Sequence, residues 1–488
     1  MTGSRGVGKH GFVREHGLLT TEQQEAGRRT ADLIDEHGLR TVRMIWVDQH
    51  GAARCKFMSA PDYLASLENG IDFSGALLSM DSANNVFVQA FAENGGLDIP
   101  ELTGFPDMVL VPDPATFRVL PWADRTGWVL TDAYFSNGKP VPLDARRLLR
   151  GQVEAARELG YDYVSGLEVE FYILRRDSDR IELAEGGWPP PPPKVSLIEH
   201  GYQYLSETRL AGINNVVQRL RDAFVDMDMP LRSIEDEWGP GQLEVTFDPM
   251  VGMETADAMI LFRTAAKQLA HQMGLHATFM ARPGLPNMFS SGWHLHESLR
   301  SRESGENVFT SDDENHSLSV VGRQFVAGLL DHAVPMTLFA APTINAYKRY
   351  KPYSFAPDRA VWAEENRGSM IRVQGSPFER GAHIENRVGE PGANPYFYLA
   401  SNIAAGLDGI RRELTPPPLS GAAPYAVDAP RLPASLWEAV EALERDDFFP
   451  GVFGKGFVTF LTSMKRNEVN RFLGEVTDWE MREYFEFF

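Results

Sequence analysis

The chain has 488 residues, 43% hydrophobic and 23% charged, with a formal charge of −20 at pH 7. That length exceeds one ordinary core, so two or more domains are expected in a soluble globular protein. The acidic excess argues against non-specific nucleic-acid binding and against an anionic membrane surface, and no apolar run reaches membrane-helix length.

A single cysteine, Cys55, excludes an intrachain disulfide framework and a Cys-only metal site. It is expected as a buried or inert thiol. The N-terminus shows no apolar signal segment, so a cytoplasmic location is expected. GSRGVGKH (3–10) approaches a P-loop, but His10 stands where Ser or Thr would hold magnesium, and no strand precedes it. Residues 1–19 are therefore read as a flexible tail.

Residues 20–37 read as a helix opened by Thr20 or Thr21. TVRMIWVDQHGAARCKFM (41–58) predicts two strands around a turn at Gln49-His50-Gly51. Short strands punctuated by Gly and Pro continue to about residue 133, which makes 20–137 a mostly β unit. SNGKPVPLD (136–144) is the linker candidate. An amphipathic helix over 143–160 then opens a second unit, 138–488, where strands alternate with longer helices. Helices are expected over 211–227, 253–273, 439–447 and 459–476. GWPPPPPK (187–194) reads as an ordered surface loop around Pro189–Pro193, with an SH3-type ligand as the alternative.

GLEVEFYIL (166–174) reads as a buried strand, and alternation puts Glu168 and Glu170 on one face. Like charges about 5 Å apart repel by roughly 3 kcal/mol at an effective dielectric near 20. A hard divalent cation would offset that; a solvated face or an Arg partner is the bland alternative. EDEWGPGQLEVTFDP (235–249) adds Glu237 before a turn and Glu244 after it, with Gln242, Glu244 and Thr246 on one strand face. SGWHLHESL (291–299) places His294 and His296 together, and AHIENRV (382–388) places Glu385 with Arg387. NAYKRYKP (345–352) and ENRGSMIRV (365–373) concentrate Lys348, Arg349, Arg367 and Arg372. Carboxylates with a histidine suit divalent metals, and arginine forks suit phosphoryl and carboxylate oxygens.

These motifs, together with GANPYFYLASNIAAGLDGI (392–410) and VTDWEMREYF (476–485), resemble the glutamine synthetase superfamily, type I-like, from about residue 30 to the end. The resemblance implies an α+β protein. A β-grasp-like N-terminal domain would precede a catalytic domain built on a curved antiparallel sheet flanked by helices. It implies homo-oligomeric rings, commonly a dodecamer of two hexamers with sites between neighbours. By motif, Glu170, Glu237 and Glu244 would hold one magnesium or manganese ion, and Glu168, His294 and Glu385 a second. His296 and Ser298, with Arg372, would lie beside ATP. Arg349 and Arg387 would bind the carboxylates of L-glutamate, with Glu170, Glu237, Ser290 and His294 around that substrate. Arg367 and Arg372 would stabilise the transferring phosphoryl group.

Three departures set this chain apart. Ser74, in NGIDFSGAL (69–77), stands where the family carries the Asp that collects ammonium; Asp72 is offset by two. Phe355, in Pro352-Tyr353-Ser354-Phe355-Ala356-Pro357, replaces the flap Glu. Phe289-Ser290 replaces the Asn-Gly before the catalytic His. Ammonium needs anions to collect it and a base to deprotonate it. Their loss points to another amine, with Ser74, Phe289, Tyr353 and Phe355 as its expected pocket. A neutral aromatic amine fits best, a small branched alkylamine next, a polyamine last. The alternatives are a glutamine synthetase using ammonia through Asp72 or Glu364, and a non-catalytic regulatory relative.

Overall fold

The computed structural model describes residues 11–89, 91–92, 96, 99–351 and 353–488. The GSRGVGKH segment and Pro352 lie outside the described residues.

The first unit comprises α1 (Phe12–Glu15), α2 (Thr21–Glu36), β1 (Thr41–Val47), β2 (Ala53–Ser59), α3 (Ala60–Asn69), β3 (Ile71–Ser74), β4 (Asp107–Pro112), β5 (Arg118–Val119) and β6 (Thr126–Tyr134). The sheet runs β2-β1-β6-β4-β3, with β5 on β6; β1 and β6 are parallel and the other pairs antiparallel. Helix α2 starts where the sequence predicts: the Thr20 hydroxyl accepts from Gln23 N, and the Gln23 side chain accepts from Thr20 N. In the β1–β2 turn, Asp48 Oδ1 accepts from His50 N and Ala52 N, both at 2.9 Å.

Two expectations need correction here. Residues 11–19 are not a free tail: Phe12 and Val13 are buried against Val109, Val111 and Tyr134. A four-residue helix with two apolar side chains carries no period to read. Cys55 is solvent-exposed, because β2 is an edge strand whose Ala53, Cys55, Phe57 and Ser59 all face outward.

The second unit begins with α4 (Ala145–Glu158), capped by Asp144, and β7 (Tyr161–Arg176). It continues through β8 (Val195–Ser196), α5 (Glu207–Gly212), α6 (Asn214–Asp226), β9 (Leu231–Asp236), β10 (Gln242–Phe247), β11 (Met250–Val251), α7 (Glu254–Gln272), β12 (Leu275–Thr278) and β13 (Trp293–Ser301). Then come α8 (Val320–Asp331), α9 (Ala333–Ala340), β14 (Trp362–Glu364), β15 (Ile371–Gln374), β16 (His383–Asn386) and α10 (Pro395–Arg411). The last helices are α11 (Leu436–Glu444), α12 (Phe448–Phe453), α13 (Lys455–Leu473) and α14 (Asp478–Tyr484). The helix expected over 211–227 is broken at Ile213 into α5 and α6, and that expected over 439–447 begins and ends three residues earlier.

The ten-stranded sheet runs β14-β15-β16-β13-β7-β10-β9, with β8, β11 and β12 also on β7. Among the described strands of this sheet, only β14–β15 is a parallel pair. Strand β7 is its spine: Leu167, Val169, Phe171 and Ile173 are buried on the helical face, while Glu168 and Glu170 take the opposite face. Helix α10 is buried along nearly its whole length. It meets α8 backbone to backbone, since a Cβ on Gly328 would lie 2.0 Å from Ala405 O and one on Gly409 2.1 Å from Gln324 O. Arg146 on α4 ties the two units together, with ion pairs to Asp113 at 2.8 Å, Asp132 at 3.1 Å and Asp257 at 2.8 Å. The Pro189–Pro193 stretch is exposed, and the Trp188 indole donates to Ala83 O at 2.8 Å. Among the described residues, no helix is long and apolar enough to cross a membrane.

Candidate active site

Strand register assembles the site. On β10, Thr246, Glu244 and Gln242 stand opposite Glu168, Glu170 and Tyr172 of β7. On β13, His294 faces Glu168, His296 faces Gly166 and Ser298 faces Val164. Glu385 of β16 pairs with His296 on one side and with Arg372 of β15 on the other. Period-2 alternation therefore puts these side chains on one surface, over the five adjoining strands β10, β7, β13, β16 and β15.

Glu168, His294 and Glu385 each offer a donor atom, all within 4.8 Å of one another. Glu170, Glu244 and His294 form a second such group. His294 is thus common to both groups, whereas the motifs assign it to one. Glu237 stands beside the second group rather than within it; its Oε2 accepts from Trp238 N at 3.2 Å.

The electrostatics divide the carboxylates into two kinds. Burial, then the charges of Glu168, Glu170 and Glu237, pushes Glu244 up to about 10. Burial, then Glu170, pushes Glu237 up to about 8. Burial also raises Glu170, although His294 and Arg349 oppose it. Glu168 behaves oppositely: burial disfavours its charge, but hydrogen bonds from His294 and His296 outweigh that and lower it. Glu385 is likewise lowered, because His294, Arg387 and His296 outweigh burial. Glu170, Glu237 and Glu244 have no Lys or Arg ion pair among the described residues. An oxygen-rich, mutually repelling set with one imidazole is what magnesium or manganese would relieve, so the residues fit such ions.

Arginines gather on the β15–β16 flank. Arg372 Nη1 donates to Glu385 Oε2 at 3.1 Å and its other nitrogens to Glu365; Arg387 Nη1 also donates to Glu385. Arg349 is buried, and its donors go to the carbonyls of Arg387 (3.0 Å), Val388 and Gly389 (both 3.1 Å). Its Nη2 lies 3.5 Å from His294 Nε2. Arg367 is exposed, and its carbonyl accepts from Arg387 Nε at 3.1 Å. On the other side of Glu168, a cavity of about 1120 Å³ is lined by His296, Ser298, Thr246, Arg380 and His383 among others. His296 bridges Glu168 Oε2 at 2.9 Å and His383 Nε2 at 3.1 Å.

The four residues expected as an amine pocket fall in three places. Ser74 ends β3 in the first sheet. Tyr353 packs on Tyr425 with ring centroids 5.0 Å apart, and Phe355 O accepts from Arg387 Nη2 at 3.3 Å. Both have left-handed backbones, φ 62° and 60°. Phe289 lies apart from these, 6.4 Å from Trp238, which stacks on Tyr204 at 5.1 Å. Ser290 precedes the site strand; its hydroxyl accepts from Arg282 Nη1 at 3.3 Å and its carbonyl from Gln242 Nε2 at 3.2 Å.

Sequence reasoning missed His383, Glu365, Trp238 and Tyr204. His383 shares a strand face with Glu385, and Trp238 follows Glu237 directly, so alternation and adjacency were signals for those two. Nothing local marks Glu365 or Tyr204.

The family description "Glutamine synthetase, catalytic domain" matches residues 142–484. The chain is 39% identical to gamma-glutamylanilide synthase of an Acinetobacter species, over 97% of this chain and 98% of that protein. It is 32% identical to glutamate–isopropylamine ligase of a Pseudomonas species, over 96% and 100%. A solved structure of GmaS in complex with ADP superposes with a TM-score of 0.78 at 26% identity, over 93% of this chain and 99% of that one.

Proposed function

The chain belongs to the glutamine synthetase family, and we propose that it joins the γ-carboxyl of L-glutamate to a hydrophobic amine other than ammonia at the expense of ATP. An aromatic amine of the aniline kind is the first-ranked acceptor and a small branched alkylamine the second. The activities named for the 39% and 32% identical relatives, on anilide and isopropylamine, support a γ-glutamyl amide ligase.

Glutamate is held by its carboxylates at Arg349 and Arg387, and ATP lies along His296 and Ser298 in the large cavity. The γ-carboxylate oxygen attacks the γ-phosphorus, ADP leaves, and γ-glutamyl phosphate remains. Arg367 and Arg372 stabilise charge on the phosphoryl oxygens as they transfer. Glu168, Glu170, Glu237, Glu244, His294 and Glu385 would hold magnesium or manganese, which would supply further positive charge. A neutral amine nitrogen then attacks the acyl carbon, inorganic phosphate leaves with the C–O bonding pair, and the nitrogen loses a proton. Holding both reactants in one cleft supplies much of the rate. The family's ring assembly, commonly a dodecamer, belongs to this reading: Ser74 lies on the first sheet and the carboxylates on the second, so in a ring Ser74 would serve a neighbour's site. Molar mass by light scattering checks it.

The observation that carries the choice of amine is Phe355. It occupies the flap position of the family Glu, is 62% exposed, and is fixed through its carbonyl to Arg387. A phenyl group in place of a carboxylate at this flap position neither collects nor deprotonates ammonium. Phosphate release with glutamate, ATP and a panel of ammonia, isopropylamine, aniline and spermine tests the reading, with the amide identified by mass. Ammonia or spermine outperforming every apolar amine would defeat it.

A further inference from the structure

Beyond the carboxylates, the site surface ends in a wall of exposed rings that none of the charged reactants explains. Tyr204 and Trp238 lie parallel, 4° apart, with centroids separated by 5.1 Å. Phe289 is tilted by 39° against Trp238 at 6.4 Å, making a corner. The three rings are 46%, 45% and 50% exposed. Large apolar surface left open beside catalytic groups marks a ligand site.

The wall is built, not draped. Buried Tyr172 pins it: its hydroxyl accepts from Phe289 N at 2.8 Å and lies 3.2 Å from Gln242 Oε1. Gln242 Oε1 also accepts from Gly239 N at 2.9 Å, and a Cβ on Gly239 would sit 2.0 Å from the Tyr172 hydroxyl. Glu199 joins the second loop to this turn, accepting from Gly241 N and Gly201 N, both at 2.7 Å. Tyr202 N donates to Trp238 O at 3.2 Å, which delivers Tyr204 to the indole. A further bond, from Leu205 N to Asp236 O at 3.1 Å, holds the loop along the edge of β9.

Position in the sheet says which reactant the wall serves. Along β7 the rows run Val164–Ser298, Gly166–His296, Glu168–His294, Glu170–Glu244, then Tyr172–Gln242. The large cavity borders the first rows, and the wall borders the last. Across the sheet, Arg372 and Arg387 lie toward β15 and β16, while the wall hangs from β7 and β10. The cavity end has Arg380 in its lining and the β15–β16 flank has Arg372 and Arg387, while the remaining end is aromatic.

Resting on the amine-ligase reading above, we propose that Tyr204, Trp238 and Phe289 form the acceptor subsite and that it takes a planar aromatic amine, stacked on Trp238. This adds a wall around the β9–β10 turn to the flap residues Tyr353 and Phe355 as a determinant of the acceptor. The wall presents π faces, with Glu237, Glu244 and Glu235 acting on Tyr204 from beside it, so its preference for a flat amine rests on stacking rather than on charge.

The test compares wild type with Trp238→Leu, Phe289→Leu and Trp238→Phe, the last keeping a stacking face. KM is measured for aniline, isopropylamine, glutamate and ATP, and aniline binding by calorimetry with glutamate and a non-hydrolysable ATP analogue present. Loss of an aromatic stack should raise the aniline KM and Kd between about twofold and tenfold in the leucine variants. Isopropylamine, glutamate and ATP should shift less than twofold, and Trp238→Phe should restore most of the aniline affinity. Folded leucine variants with an unchanged aniline-to-isopropylamine ratio would overturn the subsite while leaving the ligase reading intact. If the leucine variants do not fold, a Trp238→Phe enzyme that loses aniline as fully as it loses other amines overturns it. A wild-type enzyme that uses ammonia and no apolar amine would overturn both readings, and is recognised without any variant.

Discussion

His294 Nδ1 lies 2.6 Å from Glu168 Oε1, across the β7–β13 pair in which the two residues stand directly opposite. The same imidazole belongs to both donor groups of the site. One ring therefore links the carboxylates that are lowered by cationic partners to those that burial and mutual repulsion raise.

That division predicts a pH signature. An ordinary Glu ionises near 4.5, whereas Glu237 is pushed up to about 8 and Glu244 to about 10. Between those values the unfolded chain holds fewer protons than the folded one, so metal-free stability falls as pH rises from about 4.5. Magnesium or manganese replaces the missing protons. The rise in Tm on adding metal should be larger at pH 8 than at pH 6, and at 100 times Kd it corresponds to about 2.7 kcal/mol. Thermal melts with chelator and with metal check this; an equal rise at both pH values would sink it.

Glu244→Gln separates the two effects of one carboxylate. Above about pH 4.5 the folded metal-free protein must protonate Glu244 against burial and the charges of Glu168, Glu170 and Glu237, so an amide there should raise its melting temperature. The same change should shrink the metal-induced rise and lower kcat/KM by at least about 100-fold, as loss of metal support does. Melting and steady-state phosphate release on one preparation read both. A metal-free protein made less stable would contradict the repulsion argument.

How much of this was legible follows from range. Period 2 fixed the common face of Glu168 and Glu170, and motif order brought in Glu237, Glu244, His294 and Glu385. The start of α2 at Thr20 or Thr21 was readable because a cap is local. His294 joining both groups was not, since it depends on the register of β13 against β7, set by whole strands. Glu365 reaching Arg372, and Tyr204 reaching Trp238, depend on loop paths without a period. Phe12 and Val13 find their cover on β4 and β6, nearly a hundred residues or more away.

Arg372→Lys tests the phosphoryl clamp. The guanidinium divides its donors between Glu365 and Glu385, which fixes its plane. Lysine keeps the charge and loses the fork. kcat should fall by about 10²–10³, the cost of one transition-state donor, while the KM for ATP changes by only a few-fold. A larger effect on KM than on kcat would make Arg372 a ground-state contact.

Phe355→Glu restores an acid to the flap, beside Arg387, which already holds the Phe355 carbonyl. Ammonia use should rise relative to isopropylamine and aniline by about tenfold, the worth of about 1.4 kcal/mol. Competition assays with mixed amines, read by mass, give the ratio directly. An unchanged ratio would take the flap out of amine selection and leave it with the aromatic wall.

Arg146→Met tests what holds the two units in place. Arg146 is 3% exposed and meets Asp113 and Asp132 of the first unit and Asp257 of α7 in the second. Burial alone would lower its charge, but Asp257, Asp132 and Asp113 outweigh that and raise it. Asp132 is lowered in return, since Arg150 and Arg146 outweigh its burial. Methionine fills similar space and leaves buried Asp113 and Asp132 with Arg150, and half-buried Asp257 with the Tyr396 hydroxyl. Breaking such a group by removing one partner costs about 3–5 kcal/mol. Denaturant unfolding should show that loss, with the first unit separating before the second because its carboxylates lose their anchor on α4. Arg146 helps to lower Asp132, so without it Asp132 should take up a proton at higher pH than in wild type, and the variant's deficit should shrink as the pH falls. A deficit that is constant with pH would mean that Arg146 acts through packing rather than charge.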